Sequence, residues 1–484
     1  MMPLEQTGPV QEIQLEHRLR SIIACLLGTF LLRGAAGVMG NMIHLYLADV
    51  AQLALIGQFA ILLPLTIRSA ISAVFFIPEL FFAPVLGAWS DRYGRKLFIM
   101  LGPLAGAIAV QLTALTPAAW GVWFLVIIAF TRFLEGLSTA SAVPATLSFL
   151  SAVTTRDEKL RGRVMGLFEI ATFGGIIFGI FIGGRMYDSL KHAAFNWNSL
   201  IYLLSLAVFY FGLSQVRNKV KATGPFSVAN EMNVARQAFA NAFAGIRVAL
   251  RSDILVFAPA WWAVNSLPGL WQNNIAGIVR SSEPRFADQL FFGVLRSTPH
   301  FGRQISDIAV VVLGLFTVGV LLWSLVVGRF RRTRLMLVCS FGLFVIVGAL
   351  FMANHTGACG FGPLPANLTD CNKPARLLDP TLPIYFGLAA LALMVVSGFT
   401  PAALTYLADI TEKSPVNRGA IMGLYTVLFG LGQLSGEFLG GPFGDWLGFD
   451  GLVLFTLILS LLAVGTILYL YLHDNNSTAV ANPA

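Results

Sequence analysis

The sequence predicts an all-α membrane protein of about twelve transmembrane helices, arranged as two parallel six-helix repeats. Three observations predict it: the composition, the length of the apolar runs and an internal repeat. Hydrophobic residues fill 56% of the 484 positions and charged residues only 12%, against about 25% charge in a soluble domain. Mean hydropathy is +0.75. The apolar residues gather in runs of about twenty or more, the length an α-helix needs to cross hydrocarbon. They do not form the alternating stretches of about ten residues that build an outer-membrane barrel.

Spans fall near 21–47, 66–88, 97–118, 121–151, 163–185, 198–215, 253–279, 306–328, 335–353, 383–408, 419–443 and 452–472. The stretch 51–65 is also apolar and fits either an interfacial helix or a shifted second span. Residues 1–16 carry three glutamates and no basic cluster, so no cleavable signal peptide is expected before the first span. With the N-terminus inside, inner segments hold 21 Lys and Arg and outer segments nine, while Arg33 and Arg132 lie within spans. That asymmetry predicts cytoplasmic N- and C-termini in an inner or plasma membrane. The net charge of +8 then reports topology, and nucleic acid is not an expected partner.

Of the four cysteines, Cys25 and Cys339 sit in spans, where packing is the expected role. Cys359 and Cys371 share the outer 354–382 loop, on the side of the membrane where a disulfide persists, and either a bridge or two free thiols fits the sequence. Asn354 and Asn367 in that loop head glycosylation sequons, which matter only in a eukaryotic source.

Sliding the chain by 257 positions aligns 144–188 with 401–445 without a gap, and 16 of the 45 positions are identical. Pro144/Pro401, Arg161-Gly162/Arg418-Gly419 and Met165-Gly166-Leu167/Met422-Gly423-Leu424 recur, and Asp188 and Asp445 end the block. Helices four and five are therefore copied as helices ten and eleven, a parallel repeat of six plus six. The expected organisation is one half over 1–215, a linker over 216–252 and a second half over 253–484. Within the linker, 234–250 has apolar residues at helical spacing with Arg236 and Arg247 on the polar side. A helix on the membrane surface and a plain tether both fit.

After the second span stands Gly87-Ala88-Trp89-Ser90-Asp91-Arg92-Tyr93-Gly94-Arg95-Lys96. Gly87 allows two helices to approach, and Gly94 permits a tight turn. Asp91 can accept hydrogen bonds from the start of a neighbouring helix and suits its dipole. Arg92, Arg95 and Lys96 can pair with inner acids such as Asp157 or Glu158. The segment resembles the loop signature of the major facilitator superfamily, in its usual place between helices two and three. The resemblance implies a cytoplasmic gate that latches and releases as the halves tilt. The matching loop Gly328-Arg329-Phe330-Arg331-Arg332-Thr333-Arg334 has no acid at the place of Asp91.

Helix five carries Gly166, Gly175, Gly179, Gly183 and Gly184, and helix eleven repeats the spacing with Gly423, Gly432, Gly436, Gly440 and Gly441. Glycines at this spacing let another helix lie close. The pattern resembles the glycine signature of the drug:proton antiporter, multidrug-efflux branch. It departs from that signature where Ile180 and Glu437 replace the expected proline, which weakens the implied export polarity. Arg132-Phe133-Leu134-Glu135-Gly136 in helix four resembles the same branch's arginine motif.

Ionisable groups at membrane depth are costly and mark function. Arg33, Glu79, Arg132, Glu135, Glu169 and Glu437 form the set. Arg132 and Glu135, at i and i+3, either neutralise each other or form part of a proton site. Proton-coupling candidates are Glu135 first, then Glu79 and Glu437, with Arg132 and Arg33 as the modulating cations. The family resemblance implies that helices one, four, seven and ten line a central cavity. Asn41 of helix one and Trp262, Asn265, Trp271 and Asn274 of helix seven are the candidates to meet substrate. Pro268-Gly269 is expected to break or kink helix seven.

No dense polar set suits a sugar and no cation cluster suits a phosphate ester, so a hydrophobic or amphiphilic substrate, drug-like or lipid, is expected. No HExxH, metal set, nucleotide loop or cofactor motif appears, so neither an enzyme nor an ATP-driven pump is expected. The implied function is proton-coupled export by alternating access, working as a monomer. A proton-symport importer of a small metabolite and a transporter-fold sensor are the alternatives.

Overall fold

The computed structural model describes residues 15–55, 63–154, 158–214, 232–237, 240, 253–281, 283–356, 376–412 and 418–481. The candidate Cys359–Cys371 pair, Asp157 and most of the 216–252 linker lie outside them, as does the side chain of Glu158. Twelve long helical units run through the described residues. They are α1 (Leu15–Leu55), α2 (Leu65–Ala73 continued as Phe76–Tyr93), α3 (Arg95–Leu115), α4 (Val122–Val153), α5 (Glu158–Leu190) and α6 (Ala194–Gly212). Then come α7 (Asp253–Arg280), α8 (Phe301–Val326), α9 (Arg332–Asn354), α10 (Leu382–Val396 continued as Phe399–Glu412), α11 (Arg418–Leu447) and α12 (Phe449–Ala481). Nine stretches of the described residues are long and apolar enough to cross a membrane. One of them, Arg163–Gly212, takes in both α5 and α6, and α7 and α11 add helices of 28 and 30 residues. Helices satisfy their own backbone groups, which is why lipid admits them.

Two expectations are corrected. The apolar stretch after the first span is no separate interfacial element as far as Leu55, because α1 continues through it. Helix seven is not broken at Pro268-Gly269: α7 runs through both Pro259 and Pro268. Neighbouring groups in a bundle take over what a proline leaves open, and Gly269 here presses against Gln433 and Glu437 of α11.

The packing repeats along with the sequence. In the first set α1 packs on α5 and α6, α3 on α4 and α6, and α2 on α4. Adding six to each number reproduces the second set: α7 on α11 and α12, α9 on α10 and α12, and α8 on α10. Two buried clusters result, one around Leu32, Met42, Phe149 and Tyr202, the other around Trp261, Met336, Phe399 and Phe449. Contacts between the sets run through α2 on α11 and α5 on α8, which exchange under the same rule. Large apolar side chains such as Ile108, Leu321, Leu391 and Leu461 stay exposed on the outer surface, as lipid-facing positions should.

The glycine rows set how close these pairs come. A methyl group on Gly179 would strike the Gly34 carbonyl on α1, one on Gly183 would sit 3.0 Å from the Val38 carbonyl, and one on Gly436 would strike the Ser266 carbonyl on α7. Gly175 faces Phe30 and Arg33, Gly432 faces Trp262 and Asn265, and Gly440 faces Asn274 in the same manner. Gly179→Leu or Gly436→Leu is expected to cost about 1–3 kcal/mol of stability, read as a lower Tm in detergent. Gly348→Leu, at a site with no neighbour within 4 Å, is the control and should leave Tm unchanged. Equal Tm values for all three would refute backbone contact as the role of the rows. The α11–α12 turn uses Gly448 at φ 66°, and its repeat counterpart Lys191 takes φ 50° without glycine's freedom.

Candidate functional site

At the end of the bundle that bears the basic loops, Gly94 turns the chain from α2 into α3 at φ 114°. A methyl on Gly87 would lie 3.4 Å from Pro144 of α4, so glycine there allows the close approach of two helices. Asp91 takes Arg95 Nε at 2.9 Å and the Ser148 hydroxyl at 2.8 Å, which ties the loop to α4. Lys96 donates to the Tyr210 and Leu213 carbonyls at 2.8 Å each, at the C-terminal end of α6. Arg92 lies over the Tyr93 ring. The loop's described partners therefore belong to the first six helices.

Deeper in the bundle, Arg132 and Glu135 form an ion pair on α4, both buried. Arg132 also stands 4.9 Å over the Phe75 ring, at the joint between the segments of α2. Gly136 makes that joint possible, since any side chain there would strike the Phe75 carbonyl. Tyr202 of α6, which sequence reasoning missed, lies within electrostatic reach of both charges, and its buried hydroxyl has no hydrogen-bond partner among the described residues. A tyrosine in line with Asn198, Ser199 and Ser205 on one face of α6 was the available signal. Arg33 of α1 interacts electrostatically with Glu79 of α2 and Glu169 of α5. Sequence-distant charges thus gather in the first six helices. Glu437 stands apart on α11, fully buried, with His44 of α1 at 4.0 Å.

The opposite end is closed by two matched interlocks. Asp188, at the end of α5, accepts hydrogen bonds from the Gly302 and Arg303 backbone N–H groups at 2.8 and 2.7 Å, at the start of α8. Its repeat counterpart Asp445, at the end of α11, accepts from the Leu65 and Thr66 N–H groups at 2.8 Å each, at the start of α2. The Thr66 hydroxyl adds a third bond at 2.6 Å. One turn further in, Asn41 bonds Ser306 at 2.7 Å and Asn274 bonds Ser69 at 2.6 Å. Residues 65, 66 and 69 map onto 302, 303 and 306 by one constant offset. The carboxylate at a helix start, expected of Asp91, is thus supplied at this end by Asp188 and Asp445. Around them Arg280 pairs with Asp49 at 3.1 Å and Arg185 with Asp307 at 2.9 Å.

The cavity candidates divide. Asn41 and Asn274 are buried and committed to the cross-bundle bonds just described, with further bonds to the Ile180 and Leu270 carbonyls. Asn265 is buried and donates to the Trp261 carbonyl. Trp271 donates to Thr456 of α12 at 2.9 Å and packs on Phe449. Trp262 is half-buried. Trp261 is a core residue, stacked on Phe257 and Phe399. In the loop before α10, hydrogen bonds from Thr381 hold the Asp379 carboxyl below its ordinary range.

The chain matches the family model described as Major Facilitator Superfamily over residues 25–362 and 285–484. Multidrug resistance protein 1 of Bacillus subtilis (strain 168) is 24% identical over 375 residues, 77% of this chain and 79% of that protein. The class H tetracycline resistance protein of Pasteurella multocida is 30% identical over 154 residues, but this covers only 31% of this chain and 36% of that protein. The solved nucleoside transporter NupG superposes with a TM-score of 0.64 at 12% identity, over 94% of this chain and 98% of that one. At such identity the likeness concerns the fold. With the loop signature, the repeated packing and a family match along nearly its whole length, the chain belongs to the major facilitator superfamily of membrane transporters.

Proposed function

We propose that this transporter exports a hydrophobic or amphiphilic small molecule, drug-like or lipid, in exchange for protons. The observation that carries the reading is a set of carboxylates (Glu79, Glu135 and Glu437) held at membrane depth in a bundle locked shut at one end only by short-range bonds between its halves. The efflux names of its relatives support the direction. In this reading 1–215 and 253–484 are the moving halves, 216–252 tethers them, and one chain suffices. The basic end faces the cytoplasm with both termini, in the plasma or inner membrane.

Glu135 is the first proton site. In a low-dielectric cavity its charge depends on Arg132, and movement of the α2 joint that carries the Phe75 ring off Arg132 frees that side chain to swing away from Glu135. Glu79, beside Arg33, is the second. Each charge moved across the field is worth about 2.3 kcal/mol per 100 mV, which drives uphill export. Half-buried Trp262 and Trp271 supply apolar contact for the substrate.

The test is transport in proteoliposomes under an imposed pH gradient, with a panel of hydrophobic dyes and lipids. Movement of a panel compound against the proton flow is expected, with Glu135→Gln and Glu79→Gln each lowering coupled transport at least tenfold. Movement in the same direction as protons would instead establish a symport importer. Unchanged coupling in both variants would remove the two glutamates from the proton path, and a panel that never moves would favour a sensor.

A further inference from the structure

The two interlocks are symmetric, but the residues just beneath them are not. Asn41 and Asn274 hold matching places, bonded to the Ile180 and Glu437 carbonyls of matching glycine-rich helices. Three residues beyond each asparagine stand His44 on one side and Gly277 on the other. Glu437 has Ile180 as its repeat counterpart, Arg68 has Ile305, and Ser72 has Ala309. One interlock therefore covers an apolar floor, and its copy covers His44, Glu437, Arg68 and Ser72.

From this broken symmetry we infer that His44 and Glu437 form a proton-operated pair that governs opening at the Asp188/Asp445 end, an inference resting on the proton-coupled reading above. His44 belongs to α1 and Glu437 to α11, so the pair joins the two halves. His44 Nε2 lies 4.0 Å from the Glu437 carboxylate, and Nδ1 lies 3.4 Å from the buried Ser72 hydroxyl of α2. An imidazolium suits this site, because its charge stands 4.0 Å from the Glu437 carboxylate while Nδ1–H can donate to the Ser72 hydroxyl. Beside His44, Arg68, Ser69 and Gly277 line a polar cavity of about 10 Å³, close to the least that holds one water molecule.

Most of the other described ionisable groups on the helices around the pair have partners of their own. Asp49 holds Arg280, Arg185 holds Asp307, and Arg132 holds Glu135. Arg303 also reaches Asp307 at 3.7 Å. Asp188 and Asp445 cap helix starts, and Asp445 is the counter-charge of Arg68. Glu79 and Glu169 answer to Arg33, and Asp450 of α12 bonds His355. His192 packs at a tilt against the Tyr46 ring of α1. The side chains of Asp253 and of Asp409 and Glu412 lie outside the described residues.

With one proton on the pair, the buried site is neutral overall, either as imidazolium and carboxylate or as imidazole and carboxylic acid. Loss of that proton leaves a carboxylate in a closed, dry interface, which is costly there and cheap once water enters. Proton loss therefore favours opening of the Asp188/Asp445 end, and proton uptake after opening favours closure. No bond other than the one to the proton is made or broken. The order suits exchange: the proton leaves at the basic end, substrate loads, the opposite end opens, and a new proton recloses it.

The test uses the full chain in nanodiscs, without substrate or gradient, and follows amide hydrogen exchange at 65–69 and 302–306 against pH after correction for intrinsic rates. Wild type should lose at least tenfold protection in both segments as pH is raised across the range in which the protein stays folded. Glu437→Gln should keep the low-pH protection throughout, and His44→Gln should move the midpoint to lower pH. A wild type without the change, or Glu437→Gln with the full wild-type change, would overturn the inference. If Glu437→Gln does not fold, an unmoved midpoint in His44→Gln does the same. Absent proton-driven transport together with an intact pH response would count against the export reading and leave this pair standing.

Discussion

Arg132→Leu should cost about 3–5 kcal/mol of stability, because it strands the Glu135 carboxylate in a site that excludes water. The arginine is also packed over Phe75, so its removal loosens the joint between the two segments of α2 as well. The check is thermal unfolding in detergent together with the yield of monodisperse protein, both of which should fall sharply. Replacing both partners, Arg132→Leu with Glu135→Leu, should recover most of the loss, since an apolar pair of similar bulk leaves no buried charge behind. A single variant as stable as wild type would mean that water reaches the pair, and would remove the low-dielectric premise of the proton-site proposal.

Asp188→Ala with Asp445→Ala should open the end that these residues close. Each carboxylate satisfies two backbone N–H groups at a helix start, where loss of a capping side chain costs up to about 2 kcal/mol. The helix dipole adds to the attraction. Together the two substitutions should shift the closed-to-open ratio by up to about a thousandfold, at tenfold per 1.4 kcal/mol. Spin labels at Ala119 and Ser297, exposed on loops of opposite halves, report it in a background lacking the four native cysteines. The wild type should give one short distance and the double variant a longer one. Either single variant should give a mixture, because the interlocks are copies. An unchanged distance in the double variant would show that Asn41–Ser306 and Asn274–Ser69 hold the end closed by themselves.

Much of the fold was legible because its signals are local or repeated. Apolar runs of spanning length mark helices without any knowledge of their neighbours. The 257-residue offset anticipated that α5 and α11 would play the same part, and the glycine rows anticipated their close packing on α1 and α7. Of the two outcomes expected at Pro268, a break does not occur, because α7 is embedded among other helices. The site was less legible. Arg132 and Glu135 were readable as partners since i and i+3 share a helix face. Asn41 and Asn274 were read as cavity residues, since polarity alone does not tell a substrate contact from a bond between halves. Tyr202 went unassigned, and His44 was read only as a polar group that helix one offers the cavity, since a lone polar residue does not name its partner.

By itself, then, the sequence determined that this chain is helical, spans a membrane, repeats itself and carries the superfamily's loop. The helices and the loop follow from composition and spacing within some thirty residues, about the length of one long helix, and the repeat follows from comparing the chain with itself at an offset of 257. Only the tertiary structure decided what closes the bundle. Asp188 meets Gly302 across 114 residues, and Asp445 meets Leu65 across 380. No periodicity spans such distances: the partners meet because α5 lies on α8 and α11 on α2. The same packing sets His44 beside Glu437, so a polar insert under one of two equal locks became visible only when the halves were seen together.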